Sequence, residues 1–437
     1  MNYSLLYSLL FSSILIDSCI ISAGQSDTNN STSGQKSSIV VDEISLNFRY
    51  GFPADLANKT ITGSGYVSAT CPVLNIFTGA NDPSSAKVES KAFLTYYPGR
   101  ETFAAFSVKF PTFYSGASQW IGLFDDGDGF AIGYNGTDFS ILLRNNSIDT
   151  IITQDNFSND KLKGSGLSGI SIDPSKYNVF RISFGCFETN PIKFDIMGQN
   201  GTFFTFHIIA HPTLYSDPIT KNLALPLAAE VKKSGHCGRN DVGISTGSWQ
   251  VGVSGRPDIQ IVRQNFAGRE DFNITQGDDY TPVLSIRNKT NFHNVTNRTL
   301  AKLIFGNFFC DSSKFTRFKL IKNGTLTRSN FVDVSTNFSA MEYDISSASI
   351  QNGREVFKFT IDGSCSQIIN FLSNGIKINI LPGETLTLIA ACNNNISGNS
   401  GAGHSSCSSD DINRINLSLR GTNTVKTDVV LYWEEEF

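Results

Sequence analysis

Apolar residues run along the chain in short bursts with an alternating rhythm, interrupted by clusters of Gly, Asn, Asp and Ser. In the first half the bursts read LNFRY (46–50), AFLTYYP (92–98), FAAFSVKF (103–110), QWIGLF (119–124), GFAIGY (129–134) and FSILLR (139–144). NVFRISFGCF (178–187), IKFDIM (192–197) and TFFTFHIIA (202–210) follow. In the second half come AKLIFGNFF (301–309), FTRFKLIKN (315–323), EVFKFTI (355–361), GIKINILP (375–382), TLTLIAAC (385–392), INLSLRG (415–421) and VVLYWEE (429–435). Period-2 alternation between turn signals such as DG and NG predicts strands joined by hairpins, with one face of each strand turned to a core. No long window carries a 3.6-residue apolar stripe with a cap. Short strands at this spacing predict an all-β protein built as a sandwich or jelly roll.

Length and local composition divide the pattern. A chain of 437 residues exceeds one ordinary domain and predicts two β-sandwich, jelly-roll-like domains in tandem. Residues 1–24, with the apolar run LLYSLLFSSILI and small residues near Gly24, read as a signal peptide. Residues 25–44 read as a polar leader, 45–268 as the first domain and 269–437 as the second. The boundary is placed where QNFAGREDFNITQGDDY (264–280) turns polar. No other apolar run has membrane length, and the terminal TDVVLYWEEEF predicts neither a stop-transfer helix nor a lipid anchor signal.

Composition narrows the chemistry. Charged residues make up 17% and net charge is −4, which gives no basic footprint for nucleic acid. Beyond the signal, N-x-S/T occurs at fifteen positions, more than chance placement in an Asn- and Ser-rich chain predicts. They are Asn29, Asn30, Asn58, Asn135, Asn145, Asn156, Asn200, Asn273, Asn288, Asn294, Asn297, Asn323, Asn337, Asn395 and Asn416. With the signal, they predict passage through a secretory pathway to an extracellular or particle surface, each used sequon being exposed. Seven mature cysteines are disulfide candidates in that compartment: Cys71, Cys186, Cys237, Cys310, Cys365, Cys392 and Cys407. Their odd number leaves one over, and connectivity stays open. Cys186 with Cys237, and Cys365 with Cys392 and Cys407, are expected to belong to separate domains.

WIGLFDDGDGFAIGYNGTDFSILLR (120–144) and QDNFSNDKLKGSGLSGISIDPSKYNVFRISF (154–184) carry a likeness, continued co-linearly by LALPLAAEV (223–231), YTPVLSIRNK (280–289), LIKNGTLT (320–327), LPGETLTLIA (381–390) and LYWEEEF (431–437). In this order the chain resembles a family of β-rich virion structural proteins known from tailed phages and large DNA viruses. The resemblance implies an outer virion component serving assembly and host attachment. Signal, sequons and cysteines depart from a cytosolically assembled phage protein and point to an exported member. The implied partners are further copies of itself (a trimer or polymer), other virion proteins and host glycans. The alternative is a secreted lectin or adhesin of a cellular organism.

Candidate chemistry is sparse, and no enzyme activity or cofactor is expected. Gly243-Ile244-Ser245-Thr246-Gly247 matches G-x-S-x-G, but the following GSWQVGVSG is no helix, as a nucleophile elbow requires. Asp125, Asp126 and Asp128 in DDGDG are a calcium candidate, although no Glu stands where an EF-hand needs one. His207 and His211 have the i, i+4 spacing of a zinc pair, with His236 or Cys237 as a third ligand, on a strand-like run. Phe113, Tyr114, Trp120 and Trp249 are candidates for stacking on sugars, although aromatics at strand spacing are more often core.

Overall fold

In the computed structural model the described residues are 40–94, 100–185, 191–209, 218–234, 240–254, 262–275, 277, 279–311, 315–393 and 424–436. They form two compact units, Met1–Ile259 and Gln260–Phe437.

Unit 1 opens with β1 (Val40–Leu46), β2 (Ala57–Thr62), β3 (Tyr66–Thr70), β4 (Val73–Phe77), β5 (Ser84–Phe93), β6 (Thr102–Thr112), β7 (Ala117–Phe124) and β8 (Gly129–Asn135). It continues with β9 (Asp138–Asn145), β10 (Ile148–Thr153), β11 (Asn178–Phe184), β12 (Ile192–Met197), β13 (Phe203–Ile209), β14 (Pro226–Lys233) and β15 (Gly243–Ser254). These strands make two antiparallel sheets. One runs β13-β12-β11-β6-β15-β4-β3 with β1 on β15; the other runs β10-β9-β8-β7-β14-β5-β2. Alternation does the sorting: β6 reads buried, half-buried, buried along nearly its whole length. Its inward Phe106 meets Phe180, and Phe180 meets Phe139 of the opposite sheet at 5.9 Å between ring centroids. That inter-sheet aromatic layer, with Phe130, Phe194 and Phe206, is the core. Burying each ring stabilises the fold by roughly 1.5–3 kcal/mol.

Unit 2 contains β16 (Val262–Thr275), β17 (Thr281–Asn288), β18 (Asn291–Phe292), β19 (Val295–Thr296), β20 (Leu300–Asp311), β21 (Phe315–Lys322), β22 (Thr325–Thr327) and β23 (Val332–Asp333). β24 (Met341–Asp344), β25 (Ser349–Gln351), β26 (Arg354–Ile361), β27 (Cys365–Asn370), β28 (Asn379–Ile380), β29 (Thr385–Asn393) and β30 (Thr424–Glu436) complete it. A five-stranded sheet, β16-β30-β20-β27 with β28 on β20, faces a six-stranded one, β23-β24-β17-β29-β21-β26. Phe308 of the first stacks towards Phe318 and Phe359 of the second, beside fully buried Trp433. The protein is therefore all-β, with two β-sandwich units in tandem.

Two boundaries move. The stretch read as a polar divide is a 14-residue strand: β16 pairs with β30 from Val262↔Glu436 to Thr275↔Thr424, so a cut at 268 would split it. Unit 2 therefore begins near Gln260. The polar leader ends earlier than residue 44, because β1 pairs with β15 from Val40 onward. The run 415–421, together with Asn29, Asn30, Asn395 and Asn416, lies outside the described residues.

Candidate functional site

A cleft in the described part of unit 1 has a volume of about 420 Å³. Its apolar part is the partly buried Phe113, backed by core rings. Phe113, just past β6, lies flat on Tyr134 of β8, with ring centroids 4.5 Å apart and planes at 11°, and Tyr134 leans on Phe139 of β9. Its walls are polar: Thr137 and Asp138 of the β8–β9 hairpin, Thr153 at the end of β10, Gln154 and Asp155 after it, and Lys163 and Ser171 from the long loop before β11. Burial pushes the Tyr134 hydroxyl up to about 12, with the charge of Asp173 adding to it. Tyr134 thus stays protonated across the physiological range. The Lys163 ammonium, 2.5 Å from Asp155, holds that carboxyl below its usual range.

The loop that closes the cleft is pinned rather than slack. Buried Asp160 accepts from Leu162 N and Ser168 N, both at 2.8 Å. Burial alone would raise its pKa, but those hydrogen bonds outweigh it and the carboxyl sits below its usual value. A Cβ on Gly166 would come within 2.1 Å of Asp160 Oδ1, so a side chain there would displace the clasp. Asn159 N and Asp160 N donate to Phe206 O, which ties the loop to β13.

The structure disperses the metal candidates. Asp125 Oδ1 accepts from Gly127 N and Asp128 N and serves its own turn. Asp126 reaches Lys87 at 3.0 Å, while buried Asp128 accepts from Asn146 N and Lys221 N. No group of three metal-ligating side chains occurs among the described residues. His207 is buried between Phe157 and Phe194, and its Nδ1 accepts from Ser158 N at 3.0 Å. Burial lowers its pKa, so the ring is neutral with its proton on Nε2. His211, His236, Cys186, Cys237 and Cys407 lie outside the described residues.

Of the sugar-stacking candidates, Phe113 alone lines the cleft. Trp120 and Trp249 are buried, the latter donating Nε1–H to Thr246 Oγ1, and Tyr114 is exposed outside the lining. Gly243, Ser245 and Gly247 lie along β15, where Ser245 Oγ donates to Asn75 Oδ1; they form a strand, not an elbow.

Two sequons are overturned. Asn288 and Asn297 are buried. Asn288 Nδ2 donates to Thr299 O and Ile380 O, and Asn297 Nδ2 donates to Asn288 Oδ1 and Lys289 O. Both amide hydrogens of each are used, which leaves neither room nor valence for a glycan. Asn145 is half-buried, its Nδ2 donating to Pro218 O. Asn58, Asn135, Asn156, Asn200, Asn273, Asn294, Asn323 and Asn337 are exposed. The disulfide candidates among the described residues divide. Cys365 is disulfide-bonded, but Cys71 is an exposed thiol, and Cys310 and Cys392 carry thiols inside the core of unit 2. Burial pushes the Cys310 thiol up to about 12, which makes it unreactive.

Sequence reasoning missed a second polar group, on the outer face of the seven-stranded sheet. Glu230 of β14 stands opposite Lys87 on one side and Trp120 on the other, and Lys87 also meets Glu89 at 3.0 Å. Burial raises the Glu230 carboxyl above its usual pKa. A Lys and two Glu on strand-like runs gave no signal, because their neighbours come from distant strands.

No protein-family model and no curated protein matches the chain. Among solved structures it is similar to a glycosyl hydrolase family protein from Mycobacterium fortuitum, at 11% identity and TM-score 0.35, covering 48% of this chain and 99% of that one. A family 16 glycosyl hydrolase from Mycobacterium smegmatis matches at 14% identity and TM-score 0.34, over 48% and 100%. The carbohydrate recognition domain of Emp47p matches at 10% and 0.33, over 51% and 100%. These neighbours are β-sandwich proteins. No helix among the described residues is long and apolar enough to cross a membrane.

Proposed function

We propose that this protein is an exported, lectin-like binding protein whose unit 1 cleft takes a saccharide unit without turning it over. The observation that carries this reading is the pairing of the Phe113 ring, held flat on buried Tyr134, with a wall of hydroxyl, amide and carboxylate groups. A sugar ring offers an apolar face and a rim of hydroxyls, and this cleft offers the complement of both. A particle address is the second reading. It is favoured by the fact that residues 120–144 and 154–184, which carry the resemblance to virion proteins, supply nearly all of the cleft lining. On that reading the ligand is a host glycan and the protein an outer component used in attachment.

The test is a glycan array with the full secreted chain, followed by titration of any hit. Phe113→Ala should weaken binding about tenfold, roughly 1.4 kcal/mol, and Asp138→Ala should do likewise. Absence of any hit, or a hit indifferent to both substitutions, sinks the cleft reading. Release of reducing sugar from the bound glycan sinks the non-catalytic part. Mass spectrometry of purified particles decides the second reading independently.

A further inference from the structure

Two glycosylation sequons stand on the rim of the unit 1 cleft. Asn156-Phe157-Ser158 directly follows the lining residues Gln154 and Asp155, and Asn135-Gly136-Thr137 ends on the lining residue Thr137. Both asparagines are exposed, as are Thr137, Asp138 and Asp155, so the mouth of the cleft is open. Asn58, by contrast, lies on β2, at the opposite edge of the seven-stranded sheet from β8, β9 and β10.

The root at Asn156 is fixed and aimed. Phe157, the middle residue of its sequon, is buried against Phe139 and Phe206, with ring centroids 5.9 and 5.0 Å away. Asn156 Nδ2 donates to Thr153 Oγ1 at 2.9 Å, and Thr153 lines the cleft. An N-linked sugar replaces one of the two hydrogens on Nδ2, and the bond to Thr153 needs only the other. In this Asn156 differs from Asn288 and Asn297, whose amide hydrogens are both spent in the interior. A first sugar on Asn156 is therefore bonded to an atom already in hydrogen-bond contact with the cleft wall. Asn135 is the cross-strand partner of Asp138 in the β8–β9 hairpin. Directly opposed residues of an antiparallel pair project from the same face, so a sugar on Asn135 starts beside the lining carboxylate of Asp138.

A saccharide rooted at either place has no need to diffuse to the cleft. A ligand on a short flexible tether is present at an effective concentration on the order of millimolar. Resting on the saccharide reading of the cleft and on export, we infer that the cleft is occupied by the protein's own N-glycan. Its innermost sugars are rooted at Asn156, with Asn135 as a second root, and they compete with saccharide from outside. Occupancy of the two sequons then sets how tightly the protein holds external glycans, because affinity scales with the fraction of copies whose cleft is free.

The test compares the full secreted wild type with Asn135→Gln/Asn156→Gln, and with Asn58→Gln as control. Peptide mass spectrometry reports occupancy, and titration uses a saccharide selected on the glycan array. Sugar should be found on Asn156. The double variant should bind external saccharide about tenfold tighter than wild type, and Asn58→Gln should not. Enzymatic release of the Asn156 glycan from native wild type should be about tenfold slower than from native Phe113→Ala. If the double variant fails to fold, these release rates decide alone. An unoccupied Asn156, or a hit bound equally well with and without the rim glycans, overturns the inference and leaves the cleft reading standing. Equal release rates from wild type and Phe113→Ala overturn it too, since the cleft is then not what holds the glycan. No saccharide bound by any of the forms, together with equal release rates, removes the cleft reading itself.

Discussion

Both units have a sheet with a non-core face, and the two faces are finished in opposite ways. On the seven-stranded sheet of unit 1, Trp120 and Phe124 are buried in a small cluster with Ala131, Leu142 and Ala228. Lys87 and Arg144 lie near the Phe124 ring, and Glu89, Glu230 and Asp126 complete a charged group around them. On the five-stranded sheet of unit 2 the corresponding positions are exposed Phe266 and Ile368 and half-buried Tyr432 and Phe305, with Glu434 and Lys302 in the row on one side and Asp428 on the other. The strand alphabet is the same. What differs is whether long charged side chains lie over the aromatic rings. Such stems shield apolar surface and repel unselected neighbours, and no charged stem lies over Phe266 or Ile368 among the described residues.

The largest effects should separate interiors from faces. Phe180→Ala in unit 1 and Phe308→Ala in unit 2 each empty a fully buried ring site and should cost about 3–5 kcal/mol. Calorimetry should show each variant lowering one transition and sparing the other. Phe266→Ala should cost no more than about 0.5 kcal/mol. If either core variant moves both transitions, the units do not unfold separately and the comparison fails.

A middle-sized effect concerns a device the units share. Asp160 pins the cleft loop in unit 1, and Asp344, accepting from Ser346, Ser347 and Asn330, pins a turn in unit 2. In both, burial would raise the carboxyl and hydrogen bonds overcome it, so the folded pKa is lowered. Their contribution is complete above the unfolded value of about 3.9 and is lost as pH falls through the lower folded value. Asp160→Asn and Asp344→Asn should each cost about 1–3 kcal/mol at neutral pH, because an amide nitrogen cannot accept what the carboxylate did. Each should also flatten the acid limb of the stability curve measured by denaturant titration. A variant with the wild-type acid limb would show that the aspartate is not what the limb reports.

The smallest effect sharpens the contrast between faces. Glu230 has its folded pKa raised by burial, so its contribution is present below the unfolded carboxylate value and is lost as pH rises through the folded one. Glu230→Gln should therefore melt slightly higher than wild type at neutral pH, with the gap closing in acid. A lower melting temperature at neutral pH would mean that attraction to Lys87 and Arg144 outweighs desolvation.

Much of the fold was legible in the sequence. FAAFSVKF, QWIGLF, GFAIGY and FTRFKLIKN became β6, β7, β8 and β21 because alternation is a local consequence of pleating. β16 was misread as a divide: Arg263, Glu270, Asp271 and Asn273 make it look like a linker, while its pairing partner lies at the far end of unit 2. The cleft was legible only through Phe113. Tyr134, Asp138, Asp155 and Lys163 read as ordinary strand and loop residues until hairpins and a pinned loop brought them together.

The sequence by itself determined that this protein is all-β, that it forms two sandwiches, and where most strands run, since side-chain alternation and turn chemistry act over a few residues. Tertiary structure decided which face each strand hides. It buried Trp120, Trp249, Asn288 and Asn297, kept Cys310 and Cys392 as core thiols, and left Phe266 and Ile368 bare. Alternation gives every strand two faces but says nothing of what covers either one, and the cover comes from strands distant in the chain.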